Sequence, residues 1–285
     1  MMRLNDPTSG YDDTINTCIN GVLRKAFKDK MELDKPALIQ AGKDYITAGK
    51  AGTLTDIHPT DPADADPVVI GSLRKSELVN LYEYYFRNKD KVEARKIYSK
   101  LLSCSGEECP FCGGIGKPRN LDHFLPKSRF PQFSVLPQNL VPSCRDCNME
   151  GKAEEFAKNA SDLIIHPYVD DDKFFKQQWI HAKCILDKNN LPSSVFYFVS
   201  PPNGWNQVDK DRVQKHFDSF GLASNYALQA SVHLQTHVDS ITALRKANIP
   251  KELIRTAMIN SGMNNAPFIN HWVHGMFQAL SGYLG

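Results

Sequence analysis

The chain reads as an α+β protein, predominantly helical, organised around a small central module pinned by a metal. Three observations predict this. Apolar residues recur at helical spacing up to Leu102 and again after Gln207; two Cys-x-x-Cys pairs, Cys109/Cys112 and Cys144/Cys147, bracket a polar insert; and β-forming runs are confined to short stretches.

In chain order, residues 14–30 place Ile15, Cys18, Ile19, Val22, Leu23 and Phe27 on one helical face. A second helix is expected to start at Pro36, a residue suited to a first turn, and to run to about Ala48. The stretch 49–71 is rich in proline and aspartate and reads as a long loop, with His58 a plain loop residue. Ser72 opens a helix carrying Leu73, Leu78, Leu81, Tyr82, Tyr85 and Phe86. A further helix is expected from Asp90, capped through Glu93, to about Leu102. Tyr82, Tyr84 and Tyr85 are able to stack on bases, although that spacing more often marks core. Beyond the central module, a helix is expected to continue to about Asn159, followed by a short buried strand over 162–168. His166 in that strand reads as structural, with a supporting role at the site as the alternative. Strands are expected within 174–186 and 194–200, then helices over 207–219, 223–247, 250–261 and 267–284. His233 and His237 stand four apart but lack the glutamate of a zinc-peptidase helix. The division expected is a helical region 1–103, a central module 104–157 and a mixed, then helical, segment 158–285.

Composition excludes several classes. With 41% hydrophobic and 23% charged residues, the chain of 285 residues is ordinary for a globular protein and can bury a sizeable core. No run is long and apolar enough to span a membrane, and the N-terminus lacks a signal-peptide segment, so a cytoplasmic protein with no membrane partner is expected. Seven cysteines fit a reducing compartment better than a disulfide framework, with Cys18, Cys104 and Cys184 expected to be buried thiols. A net charge of +2 is neutral on nucleic-acid binding.

The two-residue spacing within each cysteine pair lets two thiolates converge on one tetrahedral zinc, and four sulfurs make a closed structural site. Gly113 and Gly114 supply the tight turn after the first pair, while Cys104 remains an alternative ligand. The insert between the pairs carries Asp122, His123 and Asn139, and Asn148 and Lys152 follow the last cysteine region. This order, Asp-His, then Asn-Leu-x-x-x-Cys, then Cys-x-x-Cys-Asn-x-x-x-Lys, resembles the HNH endonuclease family over about fifty residues. The resemblance extends to HNH nucleases of prokaryotic restriction and anti-phage defence, such as the Septu type.

The resemblance implies a ββα-metal hairpin pinned by zinc, with Asn139 bracing the loop that carries the histidine. The chemistry suits these residue types. A neutral imidazole, with an unperturbed pKa of roughly 6.5, can take a proton from water, which assigns His123 as general base. Asp122 and the Asn148 amide are hard oxygen donors for a catalytic Mg²⁺ or Mn²⁺. Adjacent strand residues point to opposite faces, so Asp122 joins His123 in one site only if the strand ends, bulges or twists there. Asn148 and Lys152 share a helix face if a helix starts after Cys147. Lys127, Arg129, Arg145 and Lys152 are candidate phosphate contacts. The function expected is a metal-dependent HNH endonuclease hydrolysing DNA, with RNA also open. The alternative is a non-catalytic zinc module that binds nucleic acid or protein. Near-neutral charge and an apolar last helix bearing Trp272, Phe277 and Tyr283 predict a protein partner, either a defence-system ATPase or a second copy.

Overall fold

The computed structural model describes residues 1–151 and 156–285. The chain falls into two compact units, Arg3–Asp170, and Asp171–Gly285 together with Met1–Met2. The described residues are mostly helical with three two-stranded sheets, so the α+β, predominantly helical class holds. No helix among them is long and apolar enough to cross a membrane.

In the first unit, α1 (Tyr11–Asn20) is separated by a short turn from α2 (Lys25–Ala51). This corrects two expectations. The helix predicted over 14–30 breaks at Gly21, and Pro36 lies inside α2 instead of opening it. An interior proline costs a helix about 3 kcal/mol, but the buried stripe of α2 runs on both sides of it through Phe27, Met31, Asp34, Leu38, Gly42, Tyr45 and Gly49. Continuous burial outweighs the local penalty. Asp34, from that stripe, accepts the Ser72 amide (2.8 Å) and hydroxyl (2.6 Å), fixing the turn at Gly71, whose φ of +56° only glycine adopts readily.

The loop expected over 49–71 contains one 3₁₀ turn, Leu54–Asp56, and its end pairs as β1 (Val68–Ile70) with β2 (Leu73–Arg74). Next come α3 (Lys75–Asn80), a wider helical turn Leu81–Phe86, and α4 (Val92–Ser103). The cap of α4 is Lys91, without a side-chain hydrogen bond, so the Asp90–Glu93 box does not form. Two strands, β3 (Asn120–His123) and β4 (Leu140–Ser143), pair antiparallel in regular register, Asn120 opposite Ser143 and His123 opposite Leu140. Helical backbone follows over Cys147–Gly151. Residues 156–159 are not helical, so the expected continuation to Asn159 fails there.

Of the buried strand expected over 162–168, Asp162 is exposed; residues 163–170 are buried yet form no strand. Their polar backbone is satisfied without a ladder: the His166 amide donates to Asp170 Oδ2 (2.6 Å), the Tyr168 amide to His166 Nδ1 (3.1 Å), and the Pro167 carbonyl accepts from Leu4 (3.0 Å).

In the second unit, α5 (Lys173–Lys176) precedes the hairpin of β5 (Ile180–Leu186) and β6 (Pro192–Val199). Helices α6 (Gln207–Ser219), α7 (Leu222–Lys246), α8 (Lys251–Ile254), α9 (Ser261–Asn264) and α10 (Trp272–Leu284) follow. The sheet packs β6 on α7 and β5 on α10. The rings expected to anchor a partner are used internally: Phe277 is buried, His233 stacks on Trp272 (5.4 Å), and the Arg245 guanidinium lies 5.1 Å from the Tyr283 ring. Apolarity on several sides of α10 therefore reflects burial within its own unit.

Candidate functional site

Cys109, Cys112, Cys144 and Cys147 are all buried, and their sulfurs lie within 4.8 Å of one another. Such a set can hold a zinc ion, whose tetrahedral Zn–S bonds of about 2.3 Å require this clustering. Local backbone serves the same end. The Gly116 amide donates to Cys112 Sγ (3.3 Å) and the Cys144 amide to Cys109 Sγ (3.4 Å), contacts that stabilise thiolate. Gly113 and Gly114 adopt left-handed φ, as the turn after the first pair requires. Hydrogen bonds from Cys112, Cys144 and Cys147 hold the Cys109 thiol low, whereas the Cys109, Cys112 and Cys144 contacts push Cys147 up. A divalent cation removes that inequality by stabilising all four as thiolates. Cys104 is not part of the cluster; it is exposed, with its sulfur 3.2 Å from the Tyr168 hydroxyl. Its exposure and the partial exposure of Cys184 correct the expectation of three buried thiols.

The hairpin carries the remaining predicted residues. His123 is the last residue of β3, and Asp122 precedes it with only partial burial. The ladder is regular through His123, where the strand ends, and burial alternates along it, with Asp122 partly exposed and His123 buried. His123 is 7% exposed; its Nε2 lies 2.9 Å from the Ser134 carbonyl and its ring meets Tyr82 edge-on at 4.4 Å. A carbonyl only accepts, so Nε2 carries hydrogen and Nδ1 is the acceptor nitrogen of the neutral ring. Ser134 is itself held, its hydroxyl donating to the Leu78 carbonyl (2.7 Å).

Asn139 is fully buried and makes four side-chain hydrogen bonds. Oδ1 accepts from the Leu125 amide (2.7 Å) and the Tyr45 hydroxyl (2.9 Å), and Nδ2 donates to the carbonyls of Leu125 (3.0 Å) and Phe133 (3.1 Å). Its backbone carbonyl also accepts from Phe124 (2.8 Å). It thus clasps both ends of the segment that follows His123. Asn148 is partly buried in the helical turn after the second knuckle, with its amide on the Cys144 carbonyl (3.1 Å).

The candidate phosphate contacts divide. Lys127 pairs with Glu83 (3.3 Å), and Arg129 Nε donates to the Thr60 carbonyl (3.0 Å). Both are engaged within the protein. Arg145 is exposed on the surface, and Lys152 lies outside the described residues. Sequence reasoning missed Tyr45, Tyr82 and Ser134 as partners of the site. Tyr45 carried a signal, since a hydroxyl in the middle of a buried helical stripe requires a polar partner.

Fold and site together define a mostly helical α+β protein in which four clustered cysteines able to hold a metal flank a two-stranded hairpin bearing a buried histidine, followed by a buried asparagine hydrogen-bonded to the connecting segment. The chain belongs to the family of protein ea31 of Escherichia phage lambda, to which it is 34% identical over 291 residues, covering 99% of this chain and 97% of that protein. It is also similar to the Septu protein PtuB of Bacillus thuringiensis, 32% identical over 104 residues, or 33% of this chain and 39% of that protein. No family model and no solved structure matches the chain.

Proposed function

We propose that the protein is a metal-dependent endonuclease of the HNH type that hydrolyses DNA, acting in anti-phage defence or restriction. The observation that carries this reading is the position of His123, the last residue of β3, whose ring is oriented by its Nε2 contact to the Ser134 carbonyl (2.9 Å). The strand, braced loop, returning strand and helical turn, pinned by four cysteines, support it. So does the similarity to PtuB, by name a Septu protein.

In this mechanism His123 accepts a proton from a water as its oxygen attacks phosphorus, and the bond to the 3′ oxygen breaks with its electron pair on that oxygen, which takes a proton from solvent water. Asp122 and Asn148 offer the hard oxygen donors that suit Mg²⁺ or Mn²⁺, whose charge would offset that developing on the phosphate and leaving oxygen. The cysteine cluster would hold zinc as a structural ion, chemically separate from the oxygen donors. Arg145, exposed beside the second cysteine pair, is assigned a phosphate contact in this reading. A protein partner, such as a defence-system ATPase, would supply the binding surface that near-neutral charge does not.

A second reading, a non-catalytic zinc module binding nucleic acid or protein, draws on the deep burial of His123 under Tyr82. One experiment decides. Purified protein is incubated with supercoiled plasmid and Mg²⁺ or Mn²⁺ beside His123→Ala, with zinc content measured in both. Loss of cleavage by about 10²-fold or more at equal zinc supports the nuclease, in line with removal of a general base. Equal nicking by both proteins, or none by wild type with and without a co-purified partner, refutes it.

A further inference from the structure

Beyond the residues of the hairpin itself, a buried relay reaches Asn139 from α2 and from the segment 163–170. Its direction is fixed atom by atom. The Tyr168 amide donates to His166 Nδ1 (3.1 Å), which makes Nδ1 the acceptor and places the ring hydrogen on Nε2. Nε2 lies 3.0 Å from the Tyr45 hydroxyl and donates to it, so that hydroxyl sends its own hydrogen to Asn139 Oδ1 at 2.9 Å. Tyr45, Asn139 and His166 are all 0% exposed, so water cannot substitute for any member.

We propose that Tyr45 and His166 are positioning residues that fix the orientation of Asn139, and through it the loop on which His123 leans. This rests on the nuclease reading only for its consequence in catalysis. With the Tyr45 and Leu125 donors aimed at Oδ1 and the Leu125 and Phe133 carbonyls at Nδ2, a flipped amide would set donors against donors and oxygen against oxygen. Ser134 directly follows Phe133, and its carbonyl holds His123 Nε2. Slack at Asn139 therefore reaches the histidine ring through one peptide unit. The helix is shaped for the task. Glycines stand three before and four after Tyr45 on the buried face, where a Cβ would lie 2.4 Å from Tyr11 Cδ1 (Gly42) and 2.3 Å from Val169 Cγ2 (Gly49). These close approaches bring the Tyr45 backbone near enough for its hydroxyl to reach the brace. Burial, and then the charge of Asp170, hold the Tyr45 phenol well above its usual pKa, so it remains a donor across the working pH range.

The test is Tyr45→Phe, which removes one oxygen, read by ¹⁵N spectra of the histidine rings, with His123→Ala assigning one of the nine. Wild type should show His123 as the Nε2–H tautomer, and Tyr45→Phe should move it toward a tautomer mixture. Cleavage should slow about 10-fold at unchanged KM for DNA, since misplaced groups cost turnover more than binding. His166→Gln, whose amide still donates to Tyr45, should keep the wild-type ring signal, and His166→Leu should lose it. This pair carries the test if Tyr45→Phe fails to fold. A folded Tyr45→Phe, or His166→Leu, with the wild-type His123 signal overturns the proposal. If wild type cleaves nothing, the nuclease reading falls while the ring spectra still decide the relay.

Discussion

Replacing Asn139 with alanine removes four buried hydrogen bonds at once, two to Leu125 and one each to Phe133 and Tyr45. A neutral hydrogen bond contributes about 1 kcal/mol net, and a buried group left without its partner costs about 1–3 kcal/mol. Some of the orphaned groups will turn toward water admitted at the new cavity, so the sum should settle at about 3–5 kcal/mol. That is a large share of the roughly 5–15 kcal/mol that stabilises a typical domain. It should lower Tm by about 10 °C at 2–4 °C per kcal/mol for a unit of this size. The choice of probe matters. Trp179, Trp205 and Trp272 all belong to the Asp171–Gly285 unit, so tryptophan fluorescence does not report the change. Hydrogen exchange over residues 120–143 does, and protection there should fall by two orders of magnitude or more while zinc content stays the same. A loss under about 1 kcal/mol, with exchange unaltered, would refute the clasp as the element that holds the loop.

Gly116→Ala would set its Cβ 2.6 Å from both Cβ and Sγ of Cys144, so zinc retention during dialysis against a mild chelator should drop sharply; undiminished retention would contradict the packing at the knuckle. Cys144→Ser should abolish stoichiometric zinc and unfold the hairpin region, whereas Cys104→Ser should do neither. The Asp171–Gly285 unit should weaken in acid. Burial, then the N-terminal charge, lowers the His271 pKa to about 3, so the folded state excludes a proton the unfolded chain binds below about 6.5. Stability is complete above the unfolded pKa and declines as pH falls from about 6.5 toward 3, by a few kcal/mol. Protonation also removes the Nδ1 acceptor that caps Val273 at the start of α10. Urea midpoints followed by Trp272 fluorescence should therefore fall between pH 6.5 and 4, and a flat profile would exclude His271 as the cause.

How much was legible in the sequence depended on whether the deciding interaction was local. The cysteine pairs follow from spacing over a few residues, and they do cluster; the resemblance, not spacing, singled out Asn139 and placed Asp122-His123 at the end of a strand, where β3 ends. Helices α6 and α7 kept to their predicted bounds within a residue because Gly221 and the Asn206 cap punctuate them. Pro36 misled because the proline rule is local while the buried stripe spans the whole of α2. Residues 162–168 misled in the other direction: apolar content predicted burial correctly from Leu163 on, but ladder partners were replaced by Asp170, a histidine nitrogen and the N-terminal segment, which no local pattern encodes. The engagement of Lys127 and Arg129 by Glu83 and Thr60 was invisible for the same reason.

The stripe of α2 also determines where the gene tolerates length changes. Each residue added to a helix turns everything beyond it by about 100° and advances it about 1.5 Å. One residue inserted between Leu38 and Gly42 would swing Tyr45 away from Asn139 and replace a glycine by a side chain where Tyr11 or Val169 already sits. The exposed stretch 61–65 has no such phase to keep. Among descendants of this chain, insertions and deletions should accumulate in that loop and be absent from the second half of α2, and a library of single-residue insertions scored for soluble expression would reveal the same boundary.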